Sequence, residues 1–427
     1  MVIPNLYEIN TVYSLFSYSS YPTIYRSMDE NICCETAIWW LTDVLLLLGF
    51  YYYIALEKKS QRMPWQIRLF VIYVLFSFFY GYWMSQGYWD YKALIDTALI
   101  YLMCISCSYL SDPNNLSLII RRWCYIAIVF FWILVPFMQL EAPGKFLVPF
   151  SFLLIFIPKI RGKWRVIVLS YVAIVFIFGT LGARSTALRF GMSAAISMLL
   201  IPYFYGRIKL VRSLIYVFFI SPLLFFVLAI SGTFNVFQIQ EELGLESMQV
   251  KGAYDEDDEE NLTEDTRTFL YLECIESSIK HNYYIQGHSL SRGYESISFG
   301  DTDLMSTSRG ERHGCEVSIL NIFTYMGLIG VILYFLVFAG AVKNVFNHSR
   351  NYVLYVMAVY VSFRWAFAWI EDFTRFDLNN LFLWASISMC YSKRFLNMTD
   401  DEICQWIKKI FVEKHGKTNN YIGIQTN

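Results

Sequence analysis

Charged residues are scarce in this chain. They make up 16% of its 427 residues, whereas 56% of the residues are hydrophobic. Soluble domains carry about 25% charged residues, so this composition excludes an ordinary soluble protein and predicts an integral membrane protein. The formal net charge of −1 gives no sign of a nucleic acid partner. Charge is therefore informative only loop by loop.

Several other features are missing from the sequence. The first 30 residues have neither the basic start nor the apolar core of a cleavable signal peptide, and no internal repeat is detectable. The nine cysteines show no disulfide framework. Cys104 and Cys107 lie inside an apolar run, which favours helix packing over redox or metal chemistry. Cys274 and Cys315 share a long polar loop, and a disulfide between them is an alternative if that loop faces an oxidising compartment.

Membrane-length apolar runs fill most of the chain. Lipid offers backbone polar groups no partner, so each run is predicted to be a helix. The predicted fold is all-α, a polytopic transmembrane bundle of about eleven spans, with a twelfth allowed by the length. The fifth run is short and ends at Pro158, which predicts a tilted or half-buried helix. The runs are 37–56, 69–86, 92–110, 123–140, 146–158, 166–182, 187–205, 213–231, 316–342, 353–370 and 379–392.

Basic residues occur in every second connection between these runs. Such connections are typically cytoplasmic. The predicted organisation follows: an outward segment 1–36, spans one to eight in 37–231, an outward loop 232–315, spans nine to eleven in 316–395, and a cytoplasmic tail 396–427. The basic residues are Lys58, Lys59, Arg62, Arg68, Arg121, Arg122, Lys159, Arg161, Lys163, Arg165, Arg207, Lys209, Arg212, Lys343, Arg350, Lys393, Arg394, Lys408 and Lys409.

The tail alternates apolar residues with lysines. Ile403, Trp406, Ile407 and Ile410 recur at helical spacing. This pattern fits either a helix on the inner membrane surface or a solvated helix.

The long outward loop has 17 acidic and 6 basic residues. Asp255–Glu260 is interpreted as a solvated spacer, with divalent cation binding as the alternative. From Thr266 to Ile279 the pattern predicts an amphipathic helix over the membrane domain. Tyr283 and Tyr284 follow it and offer rings for a sugar to stack on, although interfacial anchoring is the commoner role. The helix's apolar residues are Phe269, Leu270, Leu272, Ile275 and Ile279.

Arginines at the edges of spans are candidate ligands for an anion. Charge within a membrane is costly and usually functional, and a guanidinium group matches two phosphate oxygens at once. Arg184 lies in a short outward turn, Arg189 follows in the next helix, and Arg267 begins the loop helix. Arg364 lies within the tenth span; an ion pair with Asp372 or Asp96 is the structural alternative.

A charged cluster closes the outward loop. His313 and Glu316 are three residues apart, so on a helix they would share a face. Either side chain is a candidate general base for a hydroxyl nucleophile, although Glu316 also fits a simple helix start. Arg312 is a candidate for positioning an acidic or phosphorylated group.

Three motifs together resemble those of one superfamily. They are the Gly182-Ala-Arg-Ser-Thr186 turn, the segment from Arg267 to Gly287, and Gly327-Leu-Ile-Gly330 in the next span. Their order, from about residue 180 to 335, resembles that of bacterial O-antigen polymerases and O-antigen ligases. Each motif is weak alone, and the flanking helices agree only in number and topology.

The resemblance implies a metal-independent, cofactor-free, inverting membrane glycosyltransferase. Such enzymes act on undecaprenyl diphosphate-linked oligosaccharides at the outer face of the bacterial inner membrane, so the long loop would be periplasmic. It also implies roles: Arg184 and Arg267 would bind the diphosphate with help from Arg364, and Glu316 or His313 would be the base. Secondary substrate contacts are expected from Arg312, Arg189, Tyr283 and Tyr284.

One departure favours polymerase over ligase. The ligases carry a histidine eleven residues before the first glycine of that span, where this chain has Glu316. A polymerase would also allow a partner that sets chain length. The alternatives are a ligase and, from another class, a lipid-linked oligosaccharide flippase or secondary transporter. Transporters usually show two similar halves and short loops, unlike this chain.

Overall fold

The computed structural model describes residues 33–56, 63–134, 146–179, 184–230, 249–251, 259–261, 268–297 and 309–411. Within these ranges the protein is mostly helical. A 3₁₀ turn, Met103–Ser106, joins the helix Tyr88–Leu102 to the helix Cys107–Leu110. The helices are α1 Cys33–Leu56, α2 Trp65–Met84, α3 Tyr88–Leu102, α4 Cys107–Leu110, α5 Pro113–Leu134, α6 Pro149–Leu154, α7 Lys163–Gly179, α8 Arg184–Leu200, α9 Ile208–Ile230, α10 Thr268–Lys280, α11 Ser318–His348, α12 Tyr352–Phe367, α13 Leu378–Tyr391, α14 Lys393–Asn397 and α15 Asp400–Phe411.

Two short antiparallel strand pairs occur in the outward loop. β1 (Gln249–Lys251) pairs with β2 (Glu259–Asn261), and β3 (Tyr294–Glu295) pairs with β4 (Glu311–Arg312). Most of the predicted acidic spacer, 255–258, lies outside the described residues, whereas its last two residues belong to β2. The second pair brings the middle of the loop next to its end.

Within the described residues, each of the eleven predicted spans contains a helix; 135–140, 180–182 and 231 lie outside those residues. Five stretches of the described chain are long and apolar enough to cross a membrane: Trp65–Met84, Tyr88–Leu110, Pro113–Ile133, Ile208–Val227 and Ser318–His348. This agrees with a membrane-embedded protein. That each of the other six helices also crosses stays a prediction.

The fifth run is as short as predicted. It forms the six-residue helix α6 followed by turns, and residues 146–157 are all buried within the protein. Two prolines explain the short helix, since Pro149 begins it and Pro158 cannot continue it. The segment is therefore part of the protein core.

Helix α13 forms the centre of the bundle. Asp377 caps its first turn by accepting a hydrogen bond from the Asn380 amide, and every residue from Leu378 to Tyr391 is buried. It packs against α11, α12 and α4. Cys104 and Cys107 are buried free thiols beside it, and the Cys107 Sγ lies 3.4 Å from the Trp384 carbonyl oxygen. The predicted packing role of these cysteines is confirmed.

The basic connections meet at one end of the bundle. Arg394 forms an ion pair with Asp112, and the Tyr352 hydroxyl donates to the Phe204 carbonyl at 2.7 Å. The Arg350 amide donates to the Leu396 carbonyl at 2.9 Å. Connections that the positive-inside pattern assigns to one side therefore lie together.

The other connections meet at the opposite end. Residues 289–291 pack on Gly81 near the end of α2, and Arg309 pairs with Asp90 at the start of α3. The Ser318 amide donates to the Glu371 carbonyl. The alternation of connections along the chain is thus matched by their contacts in space.

The tail helix α15 corrects both predictions made for it. Its apolar face is neither on a lipid surface nor in solvent, because Ile403, Trp406, Ile407 and Ile410 are buried against the protein. The indole nitrogen of Trp406 donates to the Pro113 carbonyl at 2.8 Å. Amphipathicity shows only that one face must be covered, and here α5 helps to cover it.

Helix α10 is present where predicted, but its buried face is different. Leu270, Cys274, Ser277 and Ser278 are buried. Leu272 and Ile279, predicted to face the membrane domain, are largely exposed. Leu270 is buried as its hydrophobicity predicts, whereas the other three buried side chains are small.

Candidate functional site

Arg364 is one of the most deeply buried charges in the described chain. It lies on α12, is 1% exposed, and stacks over the Phe373 ring at 4.3 Å. Its two terminal nitrogens donate to the Tyr360 hydroxyl at 3.3 Å and the Asn379 side-chain oxygen at 3.1 Å. Its Nε has no hydrogen-bond partner among the described residues. Only neutral groups therefore hold this cation.

The ion pairs considered as alternatives for Arg364 are not formed. Asp372 accepts hydrogen bonds from the Ser318 hydroxyl at 3.2 Å and the Thr374 amide at 2.9 Å. Asp96 accepts a hydrogen bond from the Trp40 indole. Both carboxylates are engaged elsewhere, so the ion pair predicted as the alternative for Arg364 is wrong.

Arg189 lies beside Arg364. It is buried on α8, which packs against α12, and its Nη2 reaches the Thr186 hydroxyl at 3.5 Å, while its Nε has no partner within the described residues. Arg364 repels the charge of Arg189, whereas Glu371 and Asp377 attract it. A buried unpaired charge is costly unless a counterion binds. The arrangement is thus suited to an anion.

The structure describes little of Arg184 and Arg267, the other two arginines predicted to bind the diphosphate. Arg184 is the first residue of α8, but its side chain is not among the described groups. Arg267 lies outside the described residues, directly before α10. Their predicted contact with a diphosphate stays a prediction.

A second charged cluster ties the outward loop to the membrane helices. Arg292 donates from its Nε to both oxygens of Glu311, at 3.0 and 2.9 Å. Arg309 pairs with Asp90 and lies 3.5 Å from Glu311. Burial raises the pKa of Glu311, but the hydrogen bonds and charge of Arg292, with Arg309, outweigh it and leave this pKa below its usual value. Glu311 is therefore ionised and serves as an anchor.

His313 lies next to this cluster, not on a helix. Its Nδ1 is buried and has no partner in the described part of the chain. Burial lowers the pKa of His313 to about 4; Glu311 and Asp90 oppose this shift, and Arg309 adds to it. The imidazole is therefore neutral at neutral pH and a weak proton acceptor.

Glu316 is more accessible than His313. Its side chain is 54% exposed and accepts a hydrogen bond from Arg312 at 2.7 Å. Helix α11 begins at Ser318, two residues later, so the prediction that His313 and Glu316 share a helical face is wrong. Two residues after Glu316, the Ser318 amide donates to the Glu371 carbonyl, and the Ile319 amide donates to the Ala368 carbonyl. Ala368 lies one helical turn beyond Arg364. The carboxylate and the buried arginine thus approach the same end of α12.

Only one of the two predicted tyrosines remains available to a sugar. Tyr283 is buried, stacks on the His288 ring with centroids 4.4 Å apart, and donates to the Ser277 hydroxyl at 2.7 Å. Its ring faces are used within the protein, so the stacking role predicted for Tyr283 is wrong. Tyr284 is exposed.

The motif glycines allow two chain segments to cross. Gly287 has a φ of 86° and Gly327 a φ of 62°, and a Cβ on either would overlap the backbone of the other segment. Gly327 also breaks α11, because its backbone is not helical. The Leu328 amide donates to the Tyr284 carbonyl at 3.0 Å. Carbonyls of the loop thus replace the hydrogen bonds that the break removes.

The two cysteines of the outward loop are free thiols. Cys274 and Cys315 are buried in a small apolar cluster with Leu270, Val317 and Leu320. The proposed disulfide is not formed. The Cys274 Sγ instead lies 3.1 Å from the Thr324 hydroxyl oxygen.

Asp90 and Arg292 were not predicted as members of any site. Asp90 carried a usable signal, since it is a charge at the rim of a span, the criterion that selected the arginines. Arg292 carried none, because a single arginine in a polar loop is ordinary. Comparisons of the chain with models of protein families, with curated proteins and with solved structures found no match.

Proposed function

We propose that the protein is a polysaccharide polymerase of the bacterial inner membrane. It would transfer a growing glycan from undecaprenyl diphosphate to the next lipid-linked repeat unit, on the periplasmic side. The observation that carries the proposal is the pair Arg189 and Arg364, two buried guanidinium groups whose Nε atoms have no hydrogen-bond partner in the described part of the chain. The order of the three sequence motifs supports it.

The diphosphate is the leaving group in this reaction. A hydroxyl of the acceptor sugar attacks the anomeric carbon of the donor, and the carbon–oxygen bond to the diphosphate breaks with inversion. Charge develops on that oxygen, and guanidinium groups fixed beforehand stabilise it without reorganising. Arg189 and Arg364 are assigned this role, with Arg184 and Arg267 as further ligands.

Glu316 is assigned the role of general base. A base must reach the attacking hydroxyl, and Glu316 is an exposed carboxylate, whereas His313 has a pKa of about 4. Arg312 orients Glu316 through its 2.7 Å hydrogen bond.

The first test is the surface glycan of a deletion strain, separated on a gel. Loss of length with single repeat units retained indicates a polymerase. Loss of all attached glycan indicates a ligase or a flippase. An unchanged ladder contradicts the whole proposal.

The second test replaces the buried arginines one at a time in the complemented strain. Arg364→Ala and Arg189→Ala are expected to lower the rate of polymerisation roughly 100-fold or more, because the charge that develops on the leaving group is no longer stabilised. Long chains should then be absent. Arg364→Lys keeps the charge without the planar fork and should restore only part of the length. Arg350→Ala, an exposed arginine at the other end, is the matched control. Normal glycan ladders at normal protein levels in both alanine variants would contradict the role assigned to Arg189 and Arg364.

A transporter is the second candidate, because one observation favours it. A helix broken within the membrane, as α11 is at Gly327, is the device by which many secondary transporters build a site. Glycan accumulating on the cytoplasmic side of the deletion strain would support that candidate. Periplasmic single repeats would support the polymerase instead.

A further inference from the structure

One turn of the outward loop, residues 283–288, enters deeply between α2 and α11. The Tyr73 hydroxyl donates to the carbonyls of Gln286 at 3.1 Å and Met326 at 3.2 Å. Tyr73 is the ninth residue of the 20-residue helix α2. Met326 follows Ser318 by eight residues, a helical rise of about 12 Å. The turn therefore lies well below the outer ends of both helices.

The backbone of this turn is hydrogen-bonded to its surroundings. The Leu328 and Ile329 amides donate to the carbonyls of Tyr284 and Ile285, at 3.0 and 3.1 Å. The His288 amide donates to the Thr324 carbonyl at 2.7 Å. Irregular backbone is tolerated at membrane depth only where its polar groups find such partners.

Tyr284 and Ile285 of the turn are exposed and largely apolar, and Gln286 is its one fully polar exposed side chain. Ile285 is 52% exposed, and its carbonyl accepts a hydrogen bond from the Ile329 amide of α11. Phe76 on α2 is likewise exposed, and its ring stacks on that of Tyr73. Leu328 and Ile332 continue the same exposed apolar surface. The surface of the turn is thus continuous with the faces that α2 and α11 would present to lipid.

We propose that residues 283–288 form a re-entrant turn within the outer hydrocarbon layer, where Ile285 contacts lipid acyl chains. The turn anchors the outward loop in the membrane through its own side chains. This inference requires only that α2 and α11 span the membrane, and it does not depend on the proposed enzymatic function.

A second isoleucine of the same loop provides a matched comparison. Ile297 is 86% exposed and follows Ser296, whose amide donates to the Gly310 carbonyl at 3.1 Å. The neighbouring Arg309 pairs with Asp90 at the outer start of α3. Ile297 therefore belongs to the charged, water-exposed end of the loop.

The test compares Ile285→Cys with Ile297→Cys in the full-length protein. Each variant is labelled with a bimane maleimide and reconstituted in phosphatidylcholine vesicles. Half of the samples contain lipid with a nitroxide on the acyl chain, and half receive aqueous iodide. Phe76→Cys reports the quenching of a lipid-facing label, and the unsubstituted protein gives the background from native cysteines.

The label at 285 should be quenched by the nitroxide lipid as strongly as that at 76, and several-fold less than that at 297 by iodide. Equal iodide quenching at 285 and 297 would show that the turn lies in water. A label at 285 that neither agent quenches would show that protein covers the turn. Either result overturns the proposal, and normal quenching at 76 establishes that the spans are correctly inserted.

Discussion

Individual residues decide where charge is tolerated in this protein. Arg364 is held by a tyrosine hydroxyl, an asparagine oxygen and an aromatic ring, whereas Glu311 is surrounded by two arginines. The first environment leaves a net positive charge in the core, and the second is balanced when Asp90 of α3, the ion-pair partner of Arg309, is counted. A counterion is therefore expected at Arg364, while the Glu311 cluster is satisfied without one.

The titration of His313 gives a prediction at this scale. Its pKa of about 4 in the folded protein lies below the usual value of about 6.5. Between these two pH values the unfolded chain binds a proton that the folded chain does not, so the stability contributed by neutral His313 falls as pH falls. Above pH 6.5 this dependence disappears.

Thermal unfolding of the purified protein between pH 7 and pH 4.5 measures the effect. The midpoint of the unsubstituted protein should fall further than that of His313→Gln, which cannot take up the proton. Glu311 and the other carboxylates titrate in both proteins, so they cancel in the comparison. Parallel pH profiles would contradict the assigned environment of His313.

At the scale of elements, the crossing of Gly287 and Gly327 determines the shape of the loop. Gly327→Ala places a methyl group against the Ile285 backbone and imposes an unfavourable positive φ. Each of these effects costs about 1–3 kcal/mol. We expect a similar loss for Gly287→Ala, whose methyl group would overlap the backbone of 325–326.

Chemical denaturation of the purified variants measures these losses. Gly191→Ala is the control, because this glycine lies within α8 with nothing within 4 Å of the added atom. In a helix interior, alanine is favoured over glycine by about 1 kcal/mol, so the control should be neutral or stabilised. Unchanged stability in both Gly287→Ala and Gly327→Ala would show that the two segments do not cross as described.

The positions of elements were more predictable from sequence than their partners. Apolar runs predicted helices at all eleven places because a lipid environment leaves the backbone no alternative. The buried face of α10 was mispredicted because the buried side chains of Cys274, Ser277 and Ser278 are small, and hydrophobicity does not register size. The docking of α15 was missed because a lipid surface and a protein surface demand the same amphipathic pattern.

The site was predictable in type but not in arrangement. The cost of charge in a membrane selected Arg364 and Arg189 correctly as unusual residues, but only the fold brings α8 and α12 together. Asp90 and Arg292 are separated by about 200 residues, and their shared contact with the 309–311 segment is a tertiary feature. Patterns of neighbouring residues in the sequence cannot predict such a contact.

For the whole molecule, the connections between helices fall into two groups, one at each end of the bundle. The bundle gathers Asp112, Phe204, Arg350 and Leu396 at one end and Asp90, Arg309 and Glu371 at the other. Basic residues are concentrated at the first end, and the positive-inside rule predicts that this end is cytoplasmic. Contacts in space and charge along the chain thus define the same two groups, and one labelled position at each end fixes the orientation.

Cysteine labelling in intact cells tests this orientation. Ile297→Cys and Glu316→Cys should react with a membrane-impermeant maleimide in intact cells whose outer barrier has been opened, because both side chains are exposed at the proposed periplasmic end. Lys209→Cys and Lys408→Cys are exposed at the other end and should react only after the inner membrane is permeabilised. The reverse pattern would invert the topology and place Glu316 and the end of α12 in the cytoplasm. It would thereby exclude a periplasmic polymerase even if the arginine pair binds a diphosphate.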